Sequence, residues 1–301
     1  MFLAIRFIEG IAHICALSML LTLASHALPD EQRGRAMGMV GGSMMLGIAL
    51  GAPLGGFLGR SGVLLPLQLG GVLGLVTAGL AFWVVRESSA QSERPNLGDI
   101  ARALRAHPSL LIPLAFALAD RFTVGFFTTT FSLYLRRIYD LNSAEIGMCI
   151  AIFMIPFALL SYPFGRLAER FSLTLLICGG SIMYGLATAA VGFTAPPALY
   201  ILMFATGVTA SVMFVPSMVM VTRLAPPDIR ATALGAFNAA GSLGFILGPL
   251  CGGAVSQAVA AQSNWLDGYR AAFMVAGFSE LLCVAIALPF LLRLRASGRE
   301  T

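Results

Sequence analysis

Charged side chains inside long apolar runs are where this sequence can do chemistry. Arg6, Glu9 and His13 fall in one such run, and Asp120 and Arg121 in another. A charge at mid-membrane depth costs about 2.5–3.5 kcal/mol on insertion scales, so it normally faces water, a partner or an ion path. A carboxylate in that setting can bind and release a proton beside an arginine that stays charged, the acid being neutral in one state and paired in another. Arg6, Glu9, Asp120 and Arg121 are therefore the proton-handling candidates. Arg121, Gly125, Thr128 and Ser132 recur at i, i+4, i+7 and i+11, a polar stripe expected to line a cavity. Thr206 and Thr209, near Ser211 and a bend at Pro216, make a second polar set, and His13, one turn beyond Glu9, is a further cavity-lining candidate. Structural readings stand beside these. Arg6 can snorkel to the interface if the chain begins at Met1, a lone membrane histidine can join two helices, and Asp120 and Arg121 can neutralise each other for insertion alone.

Nothing points to an enzyme or to a cofactor. H-E-x-x-H, G-x-S-x-G and a phosphate-binding lysine are all absent from a chain with no lysine and only three histidines. The five cysteines lie inside apolar runs without C-x-x-C spacing, and read as small buried hydrophobes rather than a redox or metal site.

The elements that must hold these residues are membrane helices. Hydrophobic residues make up 58% of the chain and charged ones 11%, with a mean hydropathy of +0.86. About 20 apolar residues span a hydrocarbon layer as a helix, and nine such runs are legible: 1–27, 36–58, 63–85, 110–135, 145–164, 173–194, 198–222, 232–256 and 270–292. Placing the loops after runs 1, 3, 5 and 7 on one side with the C-terminal tail collects 13 arginines, against four (Arg60, Arg136, Arg137 and Arg270) on the other. The richer side is expected in the cytoplasm. The net charge of +5 is then a matter of topology, with no nucleic-acid partner implied.

Two segments repeat at a spacing of 197 residues. Pro29, Arg33, Ala36, Gly38, Leu46, Gly47, Leu50, Gly51, Gly55 and Gly56 are identical to their counterparts in 226–253, ten positions of 28 without a gap. Such an echo marks an internally duplicated membrane protein. A polar linker at 86–109, with an amphipathic helix expected over 98–107, separates three apolar runs from six. By the repeat, roughly 90 residues and three helices are expected upstream of Met1, an estimate that extends the duplication logic.

The residues resemble the major facilitator superfamily, and within it the proton-coupled drug and metabolite exporters. Gly235-x8-Gly244-x3-Gly248-Pro249-x2-Gly252-Gly253 is similar to that group's antiporter motif, although exporters carry it on the fifth helix and the full copy here falls on the eleventh. The fifth-helix copy, with Gly47, Gly51, Pro53, Gly55 and Gly56, has its proline shifted by one. Gly165-Arg166-Leu167-Ala168-Glu169-Arg170 resembles the superfamily's cytoplasmic loop, with Glu169 in place of Asp. Arg6-Phe7-Ile8-Glu9-Gly10 resembles the fourth-helix pattern, Glu9 standing where Gln is usual.

The resemblance implies an all-α membrane fold, read as helices 4–12 of a twelve-helix, two-bundle transporter. Residues 1–85 would be a partial N-terminal bundle, 86–109 the cytoplasmic linker, 110–293 the C-terminal bundle and 294–301 a cytoplasmic tail. It implies secondary transport of a small organic molecule, outward and coupled to protons, by a monomer in the inner or plasma membrane. Arg6 would serve proton coupling, and Gly165, Glu169 and Arg170 a cytoplasmic gate. The readings left open are a proton-coupled importer or facilitative permease, and a fragment that transports nothing. Gly10 pairs with Gly207 across the repeat and reads as scaffold, whereas Arg6 pairs with Met203 and reads as specific to one half. Glu280 has no role in this reading.

Overall fold

The computed structural model describes residues 4–5, 7–12, 16, 43, 46–47, 50–51, 53–62, 64–84, 97–168, 171–226 and 229–296. Among these the long elements are all helices: α1 (Leu65–Val84), α2 (Leu97–Ala106), α3 (Leu111–Thr128), α4 (Thr130–Tyr139), α5 (Ser143–Leu167), α6 (Leu173–Val191), α7 (Ala198–Leu224), α8 (Arg230–Ala260) and α9 (Trp265–Ala296). Seven helical segments are long and apolar enough to cross a membrane, α3 and α4 counting as one. They match the last seven of the nine expected spans. Much of the first two spans lies outside the described residues, where 7–12 and 53–58 are helical.

The expected single helix over 110–135 is broken. Thr129, at φ −122° and ψ −61°, leaves the helical region and separates α3 from α4. The Thr128 hydroxyl donates to the Gly125 carbonyl at 2.8 Å, a local side-chain bond that competes with the helix ladder and bends it. α4 then ends at Asp140, whose φ of 51° is left-handed. α5 opens with a capping box in which the Asn142 side chain accepts from the Ala144 and Glu145 amides while Glu145 Oε2 accepts from the Asn142 amide. These devices satisfy backbone donors that a helix start leaves open.

The second half forms a bundle in which α8 packs on α3, α9 on α6, α5 on α7, and α6 on α7. Lipid tails are as apolar as leucine, so close backbone approach must hold such helices together. α8 supplies it: a Cβ at Gly244, Gly248 or Gly252 would collide with the Leu118 carbonyl, the Phe122 carbonyl or the Thr130 hydroxyl. Gly207 of α7 is pressed likewise against the Phe153 carbonyl and Pro156 of α5. At one end an aromatic cluster of Phe127, Phe131, Tyr134 and Phe273 fills the space between α3, α4 and α9.

The same end gathers the sparse arginines. Arg137 lies 3.8 Å over the Trp265 ring, and Arg270 donates to the Gly192 carbonyl at 3.3 Å. At the other end Arg223 reaches the Ala168 carbonyl at 3.4 Å. The loops therefore sort between the two ends as the alternation of spans expects. α2 lays Ala103 on the bundle and leaves Arg102 and Arg105 exposed, the amphipathic linker helix expected over 98–107. α1 buries none of its residues against the described ones.

Candidate functional site

Asp120 and Arg121 lie halfway along α3, where that helix faces α6, α7 and α8. Neighbours in sequence point about 100° apart around a helix, so Arg121 must curl back to reach Asp120. It does so through Nε, 3.2 Å from Asp120 Oδ2, with only 3% of the Asp120 side chain and 12% of the Arg121 side chain exposed. Neither Asp120 oxygen has a well-formed hydrogen bond among the described residues. The guanidinium stacks 4.5 Å from the Phe214 ring centre on α7 and 5.4 Å from that of Phe245 on α8. Gly241 makes room for it, since a Cβ there would sit 3.0 Å from Arg121 Cγ. A desolvated cation between two ring faces is favourable by about 2 kcal/mol, so α7 and α8 are both tied to the charge on α3. On the other flank Asp120 borders a narrow crevice lined by Phe116, Ile177, Ser181, Met213, Phe214 and Ser217.

The stripe continuing from Arg121 only partly faces open space. Thr128 is exposed and Ser132 half-buried, but Gly125 is enclosed: an added Cβ would meet Pro249 Cδ at 2.9 Å and Gly248 Cα at 3.3 Å. Its role is close approach of α3 to α8 rather than lining a cavity. Thr206 and Thr209 on α7 are likewise buried, their hydroxyls donating to the Leu202 and Thr206 carbonyls at 2.7 and 3.0 Å. Helical hydroxyls have this internal acceptor always at hand, and in this conformation neither threonine lines an open space.

Other expected residues are placed as follows. Glu9 and Gly10 lie on a helical segment, Glu9 exposed and Gly10 with open space where a Cβ would go. Arg6, His13, Glu169 and Arg170 fall outside the described residues. Gly165, at the end of α5, packs against Val215, with a Cβ there 3.1 Å from Val215 Cγ1. Gly47, Gly51 and Gly55 meet nothing within 4 Å among the described residues, and Pro53 is helical. Pro249 lies inside α8. Gly253 also meets nothing within 4 Å among the described residues, and lies one residue out of phase with Gly244, Gly248 and Gly252. Cys149 and Cys178 are buried, but Cys251 is exposed, contrary to the expectation for all five cysteines. Its helix turns that position away from α3.

A contact between the two parts of the chain, among the described residues, was not legible in the sequence. Arg60 Nη2 donates to Asn142 Oδ1 at 2.9 Å, the same oxygen that caps α5. Beside it a Cβ at Gly56 would collide with the Ser143 carbonyl, so the start of α5 rests on the end of the 53–58 helix. Gly56 was the one antiporter-type glycine of the first copy with a described partner; nothing in the sequence named that partner.

A family model described as Major Facilitator Superfamily matches residues 1–134 and 114–301. The synaptic vesicular amine transporter of Bos taurus is 23% identical over 266 residues, covering 84% of this chain and 50% of the relative. Multidrug resistance protein 2 of Bacillus subtilis is 24% identical over 178 residues, covering 54% of this chain and 44% of the relative. The magnetosome protein MamH of Paramagnetospirillum magneticum is 26% identical over 296 residues, 92% of this chain and 65% of its own. The chain thus spans about half the length of the first two. A solved bacterial homolog of the human lysosomal transporter Spinster, inward-facing and unoccupied, superposes with a TM-score of 0.67 at 15% identity, over 93% of this chain and 75% of that one.

Proposed function

The chain belongs to the major facilitator superfamily, and from that premise we propose that it works as a secondary active transporter, exporting a small organic molecule in exchange for protons by alternating access. It is a multi-pass membrane protein. The observation that carries the reading is the Asp120–Arg121 pair, enclosed at mid-helix and held by rings from α7 and α8. An ion pair there is a weak source of stability, because desolvation offsets most of the attraction, whereas an acid that alternates between paired and protonated is a coupling device. The vesicular amine transporters and Multidrug resistance protein 2 carry names that support small organic amines or mixed drugs as substrates.

In this reading residues 1–85 belong to the first bundle, 110–293 form the second, and the arginine-rich loops and tail face the cytoplasm of an inner or plasma membrane. The Arg60–Asn142 contact then lies on the outer side and holds the bundles together there. The test is transport in everted vesicles under an imposed pH gradient. Accumulation of an organic amine against its gradient, dissipating the proton gradient, supports the proposal. Movement in the importing direction, or transport indifferent to the gradient, overturns it.

A further inference from the structure

The sequence reading gave Glu280 no task, and the structure encloses it completely. Its side chain on α9 is 0% exposed, between α3 and α6. Oε1 faces the Thr123 hydroxyl at 3.5 Å, a hydroxyl that also lies 3.4 Å from the Ala276 carbonyl. Oε2 has no partner among the described residues. Gly185 of α6 leaves the space the acid occupies, since a Cβ there would stand 3.0 Å from Glu280 Cβ. The Tyr184 phenol is also 0% exposed and also without a partner among the described residues, and it lies within electrostatic reach of Glu280, Asp120 and Arg121 together. Ser181 sits beside the Glu280 carboxyl and borders the Asp120 crevice, while its hydroxyl donates to the Met213 thioether at 3.0 Å.

The charges facing Glu280 are few. Asp120 of α3 and Tyr184 of α6 act on Glu280, Glu280 acts in turn on Cys283 of α9 itself, and Arg121 joins this interior through Asp120 and Tyr184. The titratable groups of α8 are Arg230 and Cys251, and neither acts on it. Two acids and one cation therefore share this interior, which carries a net charge of −1 if all are ionised. An uncompensated buried charge costs several kcal/mol even after relaxation, and one proton removes it. Arg121 already holds Asp120, while Glu280 has only hydroxyls near it.

We propose that Glu280 is a second proton-binding residue, carrying one proton while Arg121 is paired with Asp120. When a cationic substrate supplies the missing positive charge, the Glu280 O–H bond breaks, the electron pair stays on the carboxylate, and the proton bonds to a water molecule that enters with the substrate and carries it away. One cation then replaces one proton with no change of net charge. This coupling role rests on the transport reading above; the protonation itself does not.

Infrared spectroscopy of the 301-residue chain reconstituted in lipid tests it, through the carbonyl stretch of protonated carboxylic acids at neutral pH. The wild type is expected to show one buried protonated carboxyl, Glu280→Gln none, and Arg121→Gln about twice the wild-type intensity, since both acids then need protons. Absence of the band in the wild type, its survival in Glu280→Gln, or its loss on replacing choline by sodium would each overturn the proposal, the last by making this a sodium site. If Glu280→Gln does not fold, Thr123→Val keeps the acid and removes its donor. A shifted carbonyl frequency supports the assignment, and an unchanged one contradicts it. A protein that shows the Glu280 band but moves no substrate refutes the transport reading and the coupling role with it, and leaves the protonation of Glu280 standing.

Discussion

Substituting alanine along the glycines of α8 should destabilise the bundle at three positions and leave it intact at a fourth that looks the same in sequence. At Gly248 an added methyl must displace the Phe122 carbonyl, with Gly125 Cα 3.1 Å away behind it, against an ordinary contact distance of 3.4–4 Å. The obstacle is backbone, which cannot swing aside as a side chain would, so α3 and α8 must part. Forcing an extra carbon into a packed contact costs about 1–3 kcal/mol. Replacing glycine by alanine in a helix returns roughly 0.5–1 kcal/mol, leaving a net loss of up to about 2.5 kcal/mol. Gly244 faces the same kind of obstacle in the Leu118 carbonyl and the Phe122 amide, whereas at Gly252 the obstacles are side chains, the Thr130 hydroxyl and the Phe126 ring, so its loss should be smaller. Gly253, with nothing within 4 Å, should gain the helix term alone. The assay is thermal unfolding in detergent followed by exposure of the buried Cys149 thiol to a fluorogenic maleimide. Gly248→Ala should unfold several degrees below the wild type and Gly253→Ala at or slightly above it. Equal shifts at Gly248 and Gly253 would refute the packing assigned to α3 and α8.

Asp120→Ala should destabilise by about 3–5 kcal/mol, because it strands a buried arginine; the Phe214 and Phe245 rings offset part of this, and the same melt reads the difference. Asp120→Asn keeps the volume, so it should cost less stability than the alanine while still abolishing proton-coupled uptake. Asn142→Ala removes both the cap of α5 and the acceptor of Arg60. Capping loss alone costs about 0.5–2 kcal/mol. Arg60→Ala leaves the cap, so its effect should fall on the junction: a cysteine placed at Ser143 should label faster in Arg60→Ala than beside an intact Arg60, and equal rates would discard the junction as a closure.

How far the sequence carries depends on whether a property is periodic. Apolar runs bounded by Pro, Gly and Arg predicted the last seven spans to within a few residues at most ends, because burying backbone in lipid permits little besides a helix. The break at Thr129 escaped, being set by one hydroxyl that bonds the Gly125 carbonyl instead of solvent. Gly252 and Gly253 read alike as text and differ only by about 100° around α8, a phase the motif does not fix. Asp120 and Arg121 stood out as charges in an apolar run, but the rings that hold Arg121 come from α7 and α8, more than 90 residues away in sequence. Glu280 had an available signal. The 197-residue spacing sets Trp83 beneath it, so it is as specific to one half as Arg6, and the same comparison would have singled it out.

If the buried acid on α3 couples proton movement to substrate movement, replacing it must uncouple the two. The most direct measurement uses proteoliposomes with an internal pH dye and an imposed gradient, comparing wild type with Asp120→Asn on addition of an organic amine. Amine-triggered proton flux is expected in the wild type and none in the variant, with equal protein incorporation. Amine-triggered flux of the same rate in Asp120→Asn would contradict it.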